Sequence, residues 1–212
     1  MTKDFTIKVP ASSANIGPGF DVLGIGLNLY LTLSISINEA APSAKSVEDP
    51  YNVELSYTGG AGNDGVPLQS DLNLITKTAL YVLHANKIRS FPKGTKIVVN
   101  NPIPLGRGLG SSGSAIVAGV LLANEIGGLG FDKNRCLDYC LMIERHPDNI
   151  TATMMGGFVG SFLRNLSEEE HAAVHQDLNL ILPSPQTSSD FVPSNAPLNL
   201  GTHVKYPWNP MI

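Results

Sequence analysis

A chain of 212 residues, 42% of them hydrophobic and 15% charged, is long enough to bury a proper core as one large domain or one and a half. Its net charge of −4, with no basic cluster, argues against nucleic acid as a partner, and no apolar run is long enough to cross a membrane. Met1 to Val9 is mixed and polar rather than a secretion signal, so a cytoplasmic chain is expected.

Residues 5–10 read as a first strand. Pro10 to Asp21 follows as a glycine-rich loop of small residues holding one amide, Asn15, and one carboxylate, Asp21. Such a loop is either an ordered hairpin connection or the lining of a ligand pocket. Leu27 to Ile37 alternates apolar and polar residues as a half-buried antiparallel strand does. Val53 to Tyr57 is another strand, and Asp71 is placed to cap a helix from Leu72 to about Lys87, with Asn73 in its first turn.

Thr95 to Asn100 then leads as a strand into Pro102-Ile-Pro-Leu-Gly-Arg-Gly-Leu-Gly-Ser-Ser-Gly-Ser-Ala. Gly106, Gly108 and Gly110 alternate, and an apolar run through Leu122 follows. A helix starting at Ser111 or Ser112 would point free N–H groups and the positive end of its dipole at the glycines, which makes an anion site. The glycine spacing is neither the Walker pattern nor the dinucleotide fingerprint, and a tight structural turn remains the competing reading.

Gly127-Gly-Leu-Gly breaks the chain, and Asp132 caps a helix from about Lys133 to Glu144 that carries Cys136 and Cys140 on one side, read as reduced thiols. Glu144-Arg-His-Pro-Asp-Asn149 is a dense polar knot, followed by a helix-like stretch to Met155 and a strand-like Gly156 to Phe162. A surface helix is expected over Ser167 to His175 and a strand over Leu178 to Leu182. His171 and His175, at i, i+4 next to Glu168-Glu-Glu, read as a solvated face rather than a metal site. Pro183 to Ile212 shows no clear periodicity.

Three knots thus offer an anion cradle, carboxylates for a divalent cation, and amide or imidazole groups for a polar substrate, which are the parts phosphoryl transfer needs. The segment Pro104-Leu-Gly-Arg-Gly-Leu-Gly-Ser-Ser-Gly-Ser resembles the phosphate-binding motif of the GHMP kinases. Val9-Pro-Ala-Ser-Ser-Ala-Asn-Ile-Gly-Pro-Gly-Phe-Asp, Glu144-Arg-His-Pro-Asp-Asn and Gly156-Gly are similar to motifs of the homoserine kinases within that family.

The resemblance implies an α+β fold, the GHMP kinase N-terminal domain, similar to the second domain of ribosomal protein S5, with the C-terminal domain largely absent. Residues 1–175 would be the ATP-binding domain and 176–212 a linker and the start of the next. It implies transfer of phosphate from ATP, with Mg²⁺, to the hydroxyl of L-homoserine, and a homodimer is compatible with it. Pro104, Leu105, Gly106, Arg107, Gly108, Leu109, Gly110, Ser111 and Ser112 would hold the ATP phosphates, with Asn73 near the adenine. Ser112 and Glu144 would hold the metal, Asp138 being the next carboxylate candidate. Asn15, Asp21, His146 and Asn149 would line the homoserine pocket, with Asp21 facing the substrate ammonium. Asn149, Ser112 and Glu144 would be catalytic, chiefly by positioning and electrostatics, because an amide at Asn149 takes no proton.

Overall fold

The structure is a computed structural model and describes residues 2–40, 50–59, 65–170 and 195–206. The readings made for His171 to His175 and for Leu178 to Leu182 lie outside the described residues.

Alternation in the sequence becomes a mixed sheet with one buried face. Strands β1 (Thr2–Ala14) and β2 (Leu23–Asn38) pair antiparallel along most of their length. β3 (Val53–Thr58) and β4 (Thr95–Asn100) are parallel and enclose helix α1 (Leu74–Ala85), a βαβ unit. β4 joins β2, and β5 (Phe158–Leu163) joins the other end of β2 before pairing with β6 (Gly201–Tyr206). The resulting order is β3-β4-β2-β5-β6, with β1 on β2. Register puts Leu33 beside Val99 and Ile35 beside Ile97, and Leu55 beside Ile97 from the opposite strand. All are buried, whereas the intervening Lys96 and Glu54 are exposed and meet at 2.8 Å.

Helices α2 (Ser111–Gly127), α3 (Lys133–Glu144) and α4 (Pro147–Met155) complete the fold. α2 is buried on most of its circumference, as its run without charge from Ser111 to Leu122 requires, and packs on α1, α3, α4 and β1. The core is one cluster in which Tyr81, Tyr139, Phe91 and Leu33 are fully buried.

Several boundaries differ from the sequence reading. β1 runs on to Ala14, so the first part of the supposed loop is strand, with a register break between Pro10 and Ser12 where proline has no N–H to pair. α1 is capped by Asn73 and not by Asp71: the Asn73 side chain accepts from Ile75 N–H at 3.1 Å, while Asp71 is exposed. α4 begins at Pro147, whose missing N–H is harmless at a first helical position. β6 lies in a stretch with no readable periodicity; it forms because β5 offers it an edge.

Candidate active site

The glycine loop ends at Gly110, which precedes α2 in a left-handed conformation at φ 64° and supplies no side-chain cap. The first helical bond runs from Ser114 N–H to the Gly110 carbonyl, so the N–H groups of Ser111, Ser112 and Gly113 have no helical partner. The first turn carries no acidic residue to compete for them. Gly106 and Gly108 also have positive φ, and a Cβ built on either would meet only open space. Their lack of a side chain leaves room for a close approach to the backbone. Together these features make an anion cradle.

The loop faces a cavity of about 440 Å³. Residues 104–112 form one wall, all of Pro104, Leu105, Gly106, Arg107, Gly108, Leu109, Gly110, Ser111 and Ser112 being present. Asn15, Tyr57, Asn73, Asn101 and Asn149 come from elsewhere in the chain. Two close approaches bring them together. At Gly24 in β2 a Cβ would lie 2.3 Å from the Asp148 carbonyl, so only glycine lets α4 sit directly on the sheet. At Gly110 a Cβ would lie 2.3 Å from Ser12 Oγ and 3.0 Å from Asn149 Oδ1. Ser12 N–H also donates to the Leu109 carbonyl at 3.2 Å, tying the loop to β1.

The other sequence candidates divide. Asn15 lines the cavity, and its Oδ1 accepts Asp21 N–H at 2.8 Å, so the amide organises the Gly17-Pro-Gly turn. Both residues adopt positive φ. Asp21 itself is exposed and outside the cavity lining. Asn73 is fully buried with every polar atom engaged, its Nδ2 donating to Tyr57 Oη at 2.8 Å and to the Pro67 carbonyl at 2.9 Å. Burial pushes the Tyr57 phenol up, against a smaller opposing effect of the Asn73 bond.

Glu144 and His146 are not among the residues that line the cavity. Glu144 is half-buried at the end of α3, and desolvation raises its pKa, with His146 opposing and Asp148 reinforcing the rise. His146 is exposed, and its Nδ1 lies 3.2 Å from the Glu144 carbonyl. Asp138 is no metal candidate: its carboxylate accepts the N–H groups of Asn199 and Leu200 and faces Arg135. Among the described residues no group of three or more His, Cys, Asp or Glu gathers as a metal site.

Two residues behind the cavity lining escape the sequence reading. Ser12 and Thr153, both buried, form a hydroxyl chain to Asn149. The run of small residues Ala11-Ser-Ser-Ala was the available signal for Ser12; nothing local marks Thr153.

Residues 73–157 match the family model "GHMP kinases N terminal domain". The chain is 60% identical, over its whole length, to homoserine kinase of Saccharomyces cerevisiae, of which it covers 60%. It is 58% identical to homoserine kinase of Candida albicans, with 98% of this chain and 58% of that protein covered. The chain thus spans about 60% of the length of the curated relatives it matches. In three dimensions it is similar to the crystal structure of homoserine kinase from Cytophaga hutchinsonii, with a TM-score of 0.58 at 23% identity, over 81% of this chain and 64% of that one. With the motif, the fold and the relatives in agreement, residues 73–157 carry the N-terminal domain of the GHMP kinases, and the chain as a whole is similar to homoserine kinases.

Proposed function

We propose that the chain is the nucleotide-binding part of a homoserine kinase, which transfers the γ-phosphoryl group of ATP to the hydroxyl of L-homoserine and yields O-phospho-L-homoserine for threonine formation. The observation that carries this is the single cavity in which an uncapped helix N-terminus, an open glycine loop and the Asn149 amide meet. The nucleotide-binding unit is taken as residues 1–175, and 176–212 as the passage into a further domain.

In this reading the free N–H groups of Ser111 to Gly113 and the Arg107 guanidinium hold the ATP phosphates. Asn73 sets the shape of the adenine end through Tyr57 rather than by a bond of its own, since its amide is already saturated. The donor chemistry fits Mg²⁺, which takes one or two carboxylates beside substrate phosphates and waters rather than an all-protein cage. Ser112 and Glu144 would hold it, and it would spread the charge of the transferring phosphoryl group. Glu144 suits the task because its desolvated carboxylate gains most from a neighbouring cation. Asp21 is the carboxylate for the substrate ammonium, Asn15 keeps its loop in shape, and His146 and Asn149 orient the substrate's polar ends.

ADP release from ATP with homoserine tests this, run beside a chain extended to the length of the relatives and beside a nucleotide-binding measurement. Turnover with homoserine is expected. Turnover only with another small alcohol would make this a different GHMP kinase, and nucleotide binding without any turnover in either chain would make it a binding module.

A further inference from the structure

The Asn149 amide has two unlike ends, and the protein holds one of them. The Ser12 hydroxyl donates to Asn149 Oδ1 at 3.0 Å, and the Thr153 hydroxyl donates to Ser12 Oγ at 2.9 Å. Ser12 is 0% and Thr153 2% exposed. The direction of this chain is set at its inner end. Among the described residues the Thr153 hydroxyl has no acceptor except Ser12 Oγ, so its proton points there. The proton of Ser12 is then directed at Asn149, which must meet it with its carbonyl. Reversing the chain would turn the amide over and leave a buried Thr153 proton with no acceptor, which is costly. With Oδ1 engaged, Nδ2, which has no partner among the described residues, is the end left for the cavity that Asn149 lines. Gly110 is matched to the same arrangement, because any Cβ there would overlap Ser12 Oγ.

We propose that Ser12, oriented by Thr153, is a positioning residue that locks the Asn149 amide with its N–H₂ group toward the bound substrate. Asn149 therefore works as a hydrogen-bond donor to oxygen atoms that carry charge during phosphoryl transfer, and not as an acceptor of the substrate hydroxyl's proton. A donor held in place before the reaction stabilises developing charge without reorganising. This inference rests on the reading of Asn149 as a substrate-site residue.

The test combines kinetics on whichever chain length turns over with a signal read in this chain alone. Thr153→Val keeps the shape and removes the proton that orients Ser12. It is expected to lower kcat between about tenfold and a hundredfold, with KM for ATP changed less than about twofold. Thr153→Ser restores most of that loss. Ser12→Ala behaves as Thr153→Val does. Asn149→Asp, which turns an acceptor toward the phosphates, is slower than Asn149→Ala. Thr153→Val added to Asn149→Ala costs nothing further. Multiplying losses in that double variant, or an Asn149→Asp variant as fast as the parent, would overturn the inference while leaving Asn149 in the site. Full turnover in Asn149→Ala would instead overturn the reading beneath it. Independently of turnover, the side-chain N–H₂ resonances of Asn149 in ¹⁵N-labelled protein are expected to shift and broaden in Thr153→Val and to recover in Thr153→Ser. Resonances unchanged in Thr153→Val would sink the proposal whatever the kinetics.

Discussion

Asn73 and Gly110 both line the cavity, and each is required there for a different physical reason. Asn73 caps α1 with its oxygen and holds Tyr57 and the Pro67 carbonyl with its nitrogen, in full burial. Asn73→Ala is therefore expected to lower stability by about 2 kcal/mol or more, the sum of a lost cap and a partner left unsatisfied. Asp71→Ala, at the exposed neighbour that is not the cap, should stay within about 0.5 kcal/mol of the parent in the same urea titration. Gly110 and Gly108 give a second contrast. Alanine at Gly108 meets open space and bears only the left-handed backbone strain, about 1–2 kcal/mol. Alanine at Gly110 adds an overlap with Ser12 Oγ and with the Ser12 carbonyl at 2.9 Å, so about 3 kcal/mol is expected. Thermal melting with and without nucleotide separates the two. Gly108→Ala should fold and lose the nucleotide-induced rise in Tm, whereas Gly110→Ala should already melt early without nucleotide.

Among the elements, α2 carries the site and α1 supports it. The two helices touch backbone to side chain at Gly119, where a Cβ would lie 2.5 Å from the Ile75 carbonyl and 2.7 Å from Thr78 Cβ. Gly119→Ala should cost about 1–3 kcal/mol through overpacking, read as a lower urea midpoint with an unchanged slope. α3 is the element whose chemistry is silenced by burial. Desolvation pushes the Cys136 thiol up to about 11 and Cys140 well above its ordinary value. Neither is expected to react with a thiol reagent in native protein at pH 8, and both should react once the chain is unfolded. Labelling of folded protein at either position would mean that α3 opens. The helices themselves were legible from the chain: an apolar run after paired serines and an aspartate before Lys133 are local signals, and Asp132 does cap α3. The cap of α1 was misassigned because Asp71 and Asn73 are equally good capping types, and only the burial of Asn73 beneath Tyr57 separates them.

The molecule as a whole is closed by contacts between distant parts of the chain. Asp138 on α3 accepts Leu200 N–H at 2.7 Å and Asn199 N–H at 3.1 Å, and Arg135 donates to the Ala196 carbonyl at 2.7 Å. Arg164 reaches the Asn199 carbonyl at 3.0 Å while paired with Glu170. Asp138→Ala should cost about 1–3 kcal/mol, since it leaves the N–H groups of Leu200 and Asn199 without their acceptor. Hydrogen exchange should then accelerate in Gly201–Tyr206 while α1 and α2 remain protected; uniform acceleration would mean that this tether is not a separate unit. The Arg164 guanidinium and the Ser167 backbone hold the Glu170 carboxyl down to about 2. A depressed carboxylate stabilises the fold above its unfolded value and loses that contribution as pH falls toward the folded value. The Glu170→Gln variant should therefore converge with the parent in stability below about pH 2, and at neutral pH the difference should shrink in high salt because the pair is partly open to solvent. The glycine loop, the strand periodicity of β2 to β4 and the polar knot before Asn149 were all readable in the chain, because each is a local pattern whose meaning depends on neighbours a few residues away. Tertiary structure alone decided that β6 is a strand, that Asp21 stays exposed, and that Ser12 and Thr153 join in a hydrogen-bonded chain to the cavity residue Asn149. The partners of those two hydroxyls lie 137 and 141 residues away along the chain, and a hydroxyl in a sequence carries no mark of what it will meet across such a distance.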